Sequence, residues 1–497
     1  MKKLKKAISM ILAALTVTST AVSLAACGSS GGGGSNSSTD VEIYMWKSGL
    51  GDGYIKEAVK AFNKVQDKYN VTVESDSNST TIMSSLDLGK SNTYDLYFTI
   101  LNTTQYNKNF VELSDLLDSN AYGEEVTIRS KYNSAVLNGV KEADGTYKTL
   151  TYGGGFYGIV YNTAMIAENK LPRTTDELNV LTAELAGEDK KAWILFNEAS
   201  GNGYWNNMLY TWAAQYDGLD YYNNNLLQLK DEAGNSPSKE VLIKKDGRYK
   251  ALKVFEQLLT PSTVHGLSTS TNFTNVQNTF MNGGAAMMVN GSWLINESQG
   301  SANVMMMKNP VISSIVEKLE YRYDGDYMED TMLAEIVTAI DNGETSFEGV
   351  SENDFNRIKT ARCTMFNNAC EQYVFIPSYS PAVEGAKEFL KFFYSDEGMK
   401  IYIEQTGLTP TLKFTDSTKF DPSTLSAWNY KQYEFANSMI YLTDLKSKSS
   451  VFTSTTLNQI GSLTYGQALI NTSTNDRKNA EQLWTMMVDR VEELWNS

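Results

Sequence analysis

The chain has 497 residues, with 43 Lys and Arg against 58 Asp and Glu, one histidine and three cysteines. Its length is ample for two or more cores, and its acidic balance disfavours nucleic acid and anionic lipid headgroups as partners. The lone His265 excludes a His-rich metal site and would have to serve any Ser-His or Cys-His pair.

In chain order, Lys2, Lys3, Lys5 and Lys6 make a positive head, and Ile8 to Leu24 form an uncharged, largely apolar stretch ending in Leu24-Ala25-Ala26-Cys27. This is the anatomy of a secretion signal rather than a structural helix. The Leu-Ala-Ala-Cys ending resembles the lipobox of bacterial lipoproteins. That resemblance implies removal of residues 1–26 and a diacylglycerol on the Cys27 sulfur, a lipid anchor to the outer face of the cytoplasmic membrane. Residues 27–39 follow as a Gly/Ser tether with little to bury. Without residues 1–26 the balance is 39 basic against 58 acidic side chains, or −19. No second apolar run reaches the length of a membrane span.

Val41 to Trp46 reads as a strand, and Gly49, Gly51 and Gly53 mark a loop. Ile55, Ala58, Val59 and Phe62 recur at helical spacing. Val71 to Val73 predicts a second strand, Ile82 to Leu88 a helix, and Tyr94 to Ile100 a third strand. Strand and helix in alternation predict an α/β fold with a parallel sheet, whose ligands sit beyond the carboxyl ends of the strands. That points to Trp46, Lys47, Thr99, Asn102 and Thr103.

A second unit begins near Tyr157, with strands at 158–161, 193–196 and 285–289 and helices opening after Thr174-x-x-Glu177 and at 251–259. Ala386, Phe389, Leu390 and Phe393 form a helical stripe, as do Leu483, Trp484, Met487 and Val491 in the last helix. Residues 310–371 look like a charged, helical insertion of about half a domain. There is no internal repeat.

Gly153-Gly154-Gly155-Phe156-Tyr157-Gly158 matches a dinucleotide-loop pattern, but a strand follows where that loop needs a helix. The glycines read better as a segment where the backbone can swing or a ligand can approach closely. Asp324-x-Asp326 lacks the spacing of a calcium loop and reads as a solvated turn. Cys363 and Cys370, seven apart, read as two small buried residues, with a disulfide as the alternative. No cofactor or metal is expected.

The run from Phe280 through Asn282-Gly283-Gly284, Ala285 to Val289 and Asn290-Gly291-Ser292-Trp293 resembles the signature of family 1 extracellular solute-binding proteins, the carbohydrate receptors of ABC importers. Tyr157 to Thr163, Leu171-Pro172, Tyr94 to Tyr97, Ala386 to Phe393 and Gly407-Leu408-Thr409-Pro410 are similar to further parts of that family, in the same order. The resemblance implies a type II periplasmic-binding-protein-like fold, two α/β lobes around a central ligand cleft, joined by hinge crossovers near Gly155, Tyr373 and Pro410. Lobe 1 would span 40–155 and 372–410, and lobe 2 156–371 and 411–497. It also implies a monomer that is not an enzyme, closes on a mono- or oligosaccharide and delivers it to ABC permease subunits. Ligand contacts would come from Trp46, Lys47, Asn102, Thr103, Tyr157, Tyr204, Trp205, Asn206, Trp293 and Tyr379. A peptide or polyamine ligand, or a surface glycosidase, are the alternatives.

Overall fold

The structure, a computed structural model, describes residues 39–47, 49–100, 104–142, 144–187, 191–196, 204–269, 272–298, 303–367, 372–408, 411–442, 459–460, 463–470 and 477–496. Cys27, Asn102, Thr103, Cys370 and Pro410 lie outside them.

The principal strands in chain order are β1 (Asp40–Trp46), β2 (Asn70–Asp76), β3 (Leu96–Thr99), β4 (Leu150–Thr151), β5 (Phe156–Asn162), β6 (Lys191–Trp193), β7 (Ala285–Gly291), β8 (Val304–Met306), β9 (Thr364–Asn367), β10 (Tyr373–Phe375) and β11 (Ile440–Leu442). They form two main sheets. The first runs β2-β1-β3-β10-β4 and the second β11-β9-β5-β7-β6, with β8 also paired to β5. In the first sheet β1 lies parallel to β2 and β3, as the strand-helix-strand rhythm predicts, and β10 runs antiparallel to β3 and β4.

The helices form where apolar residues recur at i, i+4 and i+7. Helix Gly53–Val65 buries Tyr54, Ile55, Ala58, Val59 and Phe62 on one stripe. Phe62 meets Phe389 and Phe392 of helix Val383–Phe393 at ring distances of 5.5 and 5.6 Å. Each such aromatic buried from water contributes roughly 1.5–3 kcal/mol. Thr174 caps helix Thr175–Leu185 by accepting from the Glu177 N–H. The return bond to the Glu177 carboxylate comes from the Arg173 N–H, one residue before the cap.

Two crossovers connect the second sheet to the neighbouring strands β4 and β10 of the first. Residues 152–155 carry the chain from β4 to β5, and it returns between β9 and β10. Tyr373, which opens β10, pairs with Thr99, which closes β3. The carboxyl ends of the parallel strands therefore face the junction of the lobes.

Residues 310–371, expected as a helical insertion within the second lobe, are integral to it. They supply β9 to the interior of its sheet, and Leu333, Ile336, Val337, Phe355 and Ile358 join its main core. Most of their charges lie on the outer faces of helices Asp330–Asp341 and Glu352–Cys363, with Asp354 and Arg362 buried, which masks the apolar stripes in a composition reading. The chain also remains on the first lobe beyond residue 410. Leu412 bridges to Tyr132, and the Lys413 N–H donates to the Lys131 carbonyl. Helix Ala427–Ser438 then packs Trp428 and Phe435 into the second lobe.

Asp217 closes helix Trp205–Asp217, where the helix dipole disfavours an anion. Burial and then the neighbouring Asp246 charge push its carboxyl up to about 7. A raised acid binds its proton more tightly when folded, so its contribution to stability falls as pH rises from the ordinary aspartate range toward 7. Asp217→Asn keeps an acceptor for the Gly247 N–H, which donates at 3.0 Å. It should stabilise the protein above about pH 7 by on the order of 1 kcal/mol and be near neutral at pH 4, checked by urea unfolding at both pH values.

Candidate functional site

The β1 edge brings Trp46 and Lys47 to the junction, but both are tied to the first lobe. The Trp46 indole donates to the Ser77 carbonyl at 3.1 Å. The Lys47 ammonium stands 3.6 Å from the Asp52 carboxylate, which also accepts from Ser75 at 2.6 Å and Lys56 at 2.7 Å. Burial acts to raise the Asp52 carboxyl, and these donors and cations overcome it, lowering it to about 2.

The second lobe contributes a group of rings. Tyr157, the second residue of β5, meets Trp293 at 4.8 Å, edge to face, and Tyr204 at 5.2 Å. Tyr204 and Trp293 stand 6.1 Å apart. Tyr157 and Tyr204 pack against the cores of both lobes, and Trp293 packs with the first-lobe core although it follows a second-lobe strand. These three rings are therefore the seam between the lobes.

The sequence makes room for the indole. Gly291 lies opposite Tyr157 in the β5–β7 register, and a Cβ there would run into the Trp293 ring. A Cβ at Gly155 would come within 2.8 Å of the same ring. At Gly155 the close approach is made by a protein side chain, where the sequence suggested a ligand or a swinging backbone. Ser292 anchors the turn: its N–H donates to the Phe156 carbonyl at 2.8 Å, its hydroxyl accepts from the Phe156 N–H at 3.1 Å, and its carbonyl accepts from the Trp428 indole at 2.9 Å.

The remaining predicted residues are placed differently. Trp205 is buried in the second-lobe core, 5.1 Å from both Trp193 and Phe255, and its indole N–H has no hydrogen-bond partner. Asn206 is buried on the same helix. Tyr379 does not reach the junction. Its hydroxyl lies 3.4 Å from that of Tyr97, and the next residue, Ser380, donates to Asp95, which precedes β3. Tyr379 therefore stands at the end where β3 enters the sheet, because β10 runs antiparallel and carries the chain away from the cleft. Sequence reasoning missed Phe366, 5.8 Å from Tyr157. The signal was the short run Thr364-Met365-Phe366-Asn367, which has strand composition.

Among the described residues no group of three or more His, Cys, Asp or Glu side chains could hold a metal ion, and no helix is long and apolar enough to cross a membrane. Cys363 is half-buried, and burial pushes its thiol up.

A search of curated protein sequences found no match. Among solved structures, the chain is similar to a probable secreted solute-binding lipoprotein from Streptomyces coelicolor, at 12% identity and a TM-score of 0.59, covering 92% of this chain and 99% of that one. It is similar to maltose-bound MalE3 of T. maritima, at 14% identity and a TM-score of 0.57, covering 91% and 100%. It is also similar to the solute-binding protein RafE in complex with raffinose, at 14% identity and a TM-score of 0.52, covering 92% and 99%. At such identities the likeness establishes the two-lobe fold. The sequence profile of the bacterial extracellular solute-binding proteins matches residues 57–421. With that match spanning most of the chain, and the two sheets joined by crossovers, this protein belongs to the bacterial extracellular solute-binding protein family.

Proposed function

We propose that the protein is a lipid-anchored receptor that closes on a neutral mono- or oligosaccharide and hands it unaltered to an ABC permease. The observation that carries this reading is the ring group Tyr157, Tyr204 and Trp293 at the lobe seam. Sugars offer apolar C–H faces to such rings and a rim of hydroxyls to hydroxyl and amide side chains. The tyrosine hydroxyls add polar tips to the platform. Structural neighbours with raffinose and maltose bound favour the same ligand class. The Leu24-Ala25-Ala26-Cys27 ending supports the anchor at Cys27.

The test is a thermal-shift screen of the purified protein against a panel of sugars, peptides and polyamines. A sugar at a hundredfold excess over its Kd should stabilise the fold by about 2.7 kcal/mol. A shift with peptides or polyamines and with no sugar would reassign the ligand, and release of cleaved product from a glycan would make the protein an enzyme.

A further inference from the structure

Four residues beyond Trp293, helix Leu294–Glu297 carries a carboxylate across the seam. A Cβ built on Gly49, in the loop after β1, would stand 2.8 Å from Glu297 Cγ and 3.0 Å from its carboxyl carbon. The Glu297 side chain therefore lies directly against first-lobe backbone. Beside it, the Asn296 amide donates to the Thr406 carbonyl of the first lobe at 3.1 Å. Glu297 itself accepts from the buried Gln277 amide at 2.8 Å.

Among the described residues, no cation is paired with Glu297. Helix Phe273–Met281 presents the neutral Gln277, and the loop presents Gly49. Charged groups on the loop and the helix after it are paired with each other: Lys47 with Asp52, and Asp52 with Lys56. On helix Asp396–Thr406, Lys400 stands 4.0 Å from Glu404. Burial raises the Glu297 carboxyl above the ordinary glutamate value of 4.5, against the lowering effect of the Gln277 bond, and no charged neighbour contributes. A partly buried carboxylate with one neutral donor and no countercharge is disfavoured relative to its protonated form.

We propose that Glu297 is a protonation-dependent latch on lobe closure: protonated, it seats against Gly49 and favours the closed cleft, and ionised, it opposes closure. The proposal rests on the cleft-closure reading above. The sign follows from linkage. The closed form binds the proton more tightly, so closure is fully favoured below the ordinary glutamate range and weakens as pH rises through the raised value. Ligand affinity then falls with rising pH, by up to about tenfold for each unit by which closure raises the acid.

Small-angle X-ray scattering of the ligand-free protein tests this without knowledge of the ligand. The radius of gyration of the wild type should increase between about pH 5 and about pH 8. Glu297→Gln keeps the acceptor for Gln277 and should hold the compact value at both pH values. Gly49→Ala places a methyl against the carboxyl only when the lobes meet, and should hold the expanded value at both. A wild-type radius that does not change with pH overturns the latch, as does a Glu297→Gln or Gly49→Ala protein that follows the wild-type response. Failure of every sugar in the thermal-shift screen would leave this readout intact, so the two ideas fail separately.

Discussion

Trp293→Ala is expected to lower the affinity for the cognate sugar by about 100-fold or more, roughly 3 kcal/mol, in isothermal titration calorimetry. The indole is the ring against which both Tyr157 and Tyr204 stand, and Gly155 and Gly291 beside it carry no side chain that could fill its place. Its removal takes away one wall of the platform and lets the two tyrosines relax. Trp293 is 8% exposed and packs with the first-lobe core, so the same change should also lower the melting temperature. Truncating a buried tryptophan costs about 3–5 kcal/mol of stability. Binding is therefore measured well below the melting point of the variant. Trp293→Phe retains an aromatic face and should recover part of both losses. An affinity unchanged by Trp293→Ala in a folded protein would remove the ring group from the ligand site.

Lys131→Met is expected to destabilise the protein by about 3–5 kcal/mol at neutral pH, measured by urea unfolding. The Lys131 ammonium is 3% exposed and lies 2.5 Å from Glu124 and 2.9 Å from Asp396. Burial pushes the Asp396 carboxyl up, but the Lys131 ammonium and the Thr415 and Asp416 N–H groups together hold it below the ordinary aspartate value. Those N–H groups donate at 2.8 and 2.9 Å, so this cluster also pins residues 411–416 to the first lobe. Methionine would fill the space, leaving the buried Glu124 carboxylate without Lys131 and Asp396 with only the half-exposed Lys419 ammonium at 3.8 Å. Asp396 has a lowered value in the wild type, so its stabilising share is present above the unfolded value and lost as pH falls through the folded one. The variant keeps only the part of that share that comes from the Thr415 and Asp416 N–H groups and Lys419. Its deficit relative to wild type should shrink in acid, and a deficit that stays constant with pH would mean that packing, not charge, explains the loss.

The strands and helices were legible because their signals are local. The short apolar run Val41 to Trp46 and the 3.6-residue stripe of Ile55, Ala58 and Phe62 lie within single elements and do not depend on partners elsewhere. The Asn290-Gly291-Ser292-Trp293 turn was legible for the same reason, and its tryptophan lies at the lobe seam. Trp205 was not separable from Trp293 in the sequence. Both are aromatics at a loop-to-helix turn, and only the packing of Trp193 and Phe255 places Trp205 in a core. Tyr379 was misplaced because the direction of β10 is a property of the sheet and not of the segment.

The resemblance to a known family implied the two-lobe class, and the sequence by itself determined the alternation of elements and the Asn290-Gly291-Ser292-Trp293 turn. The last two follow from periodicity, caps and turn chemistry acting over a few residues. The tertiary structure decided which aromatic rings meet, which end of a sheet faces the cleft, and which charges lose their water. Lys131 and Asp396 are 265 residues apart and share one buried cluster, and Gly49 meets Glu297 only where the lobes touch. Such contacts depend on burial and register across the whole chain, and no local pattern encodes them.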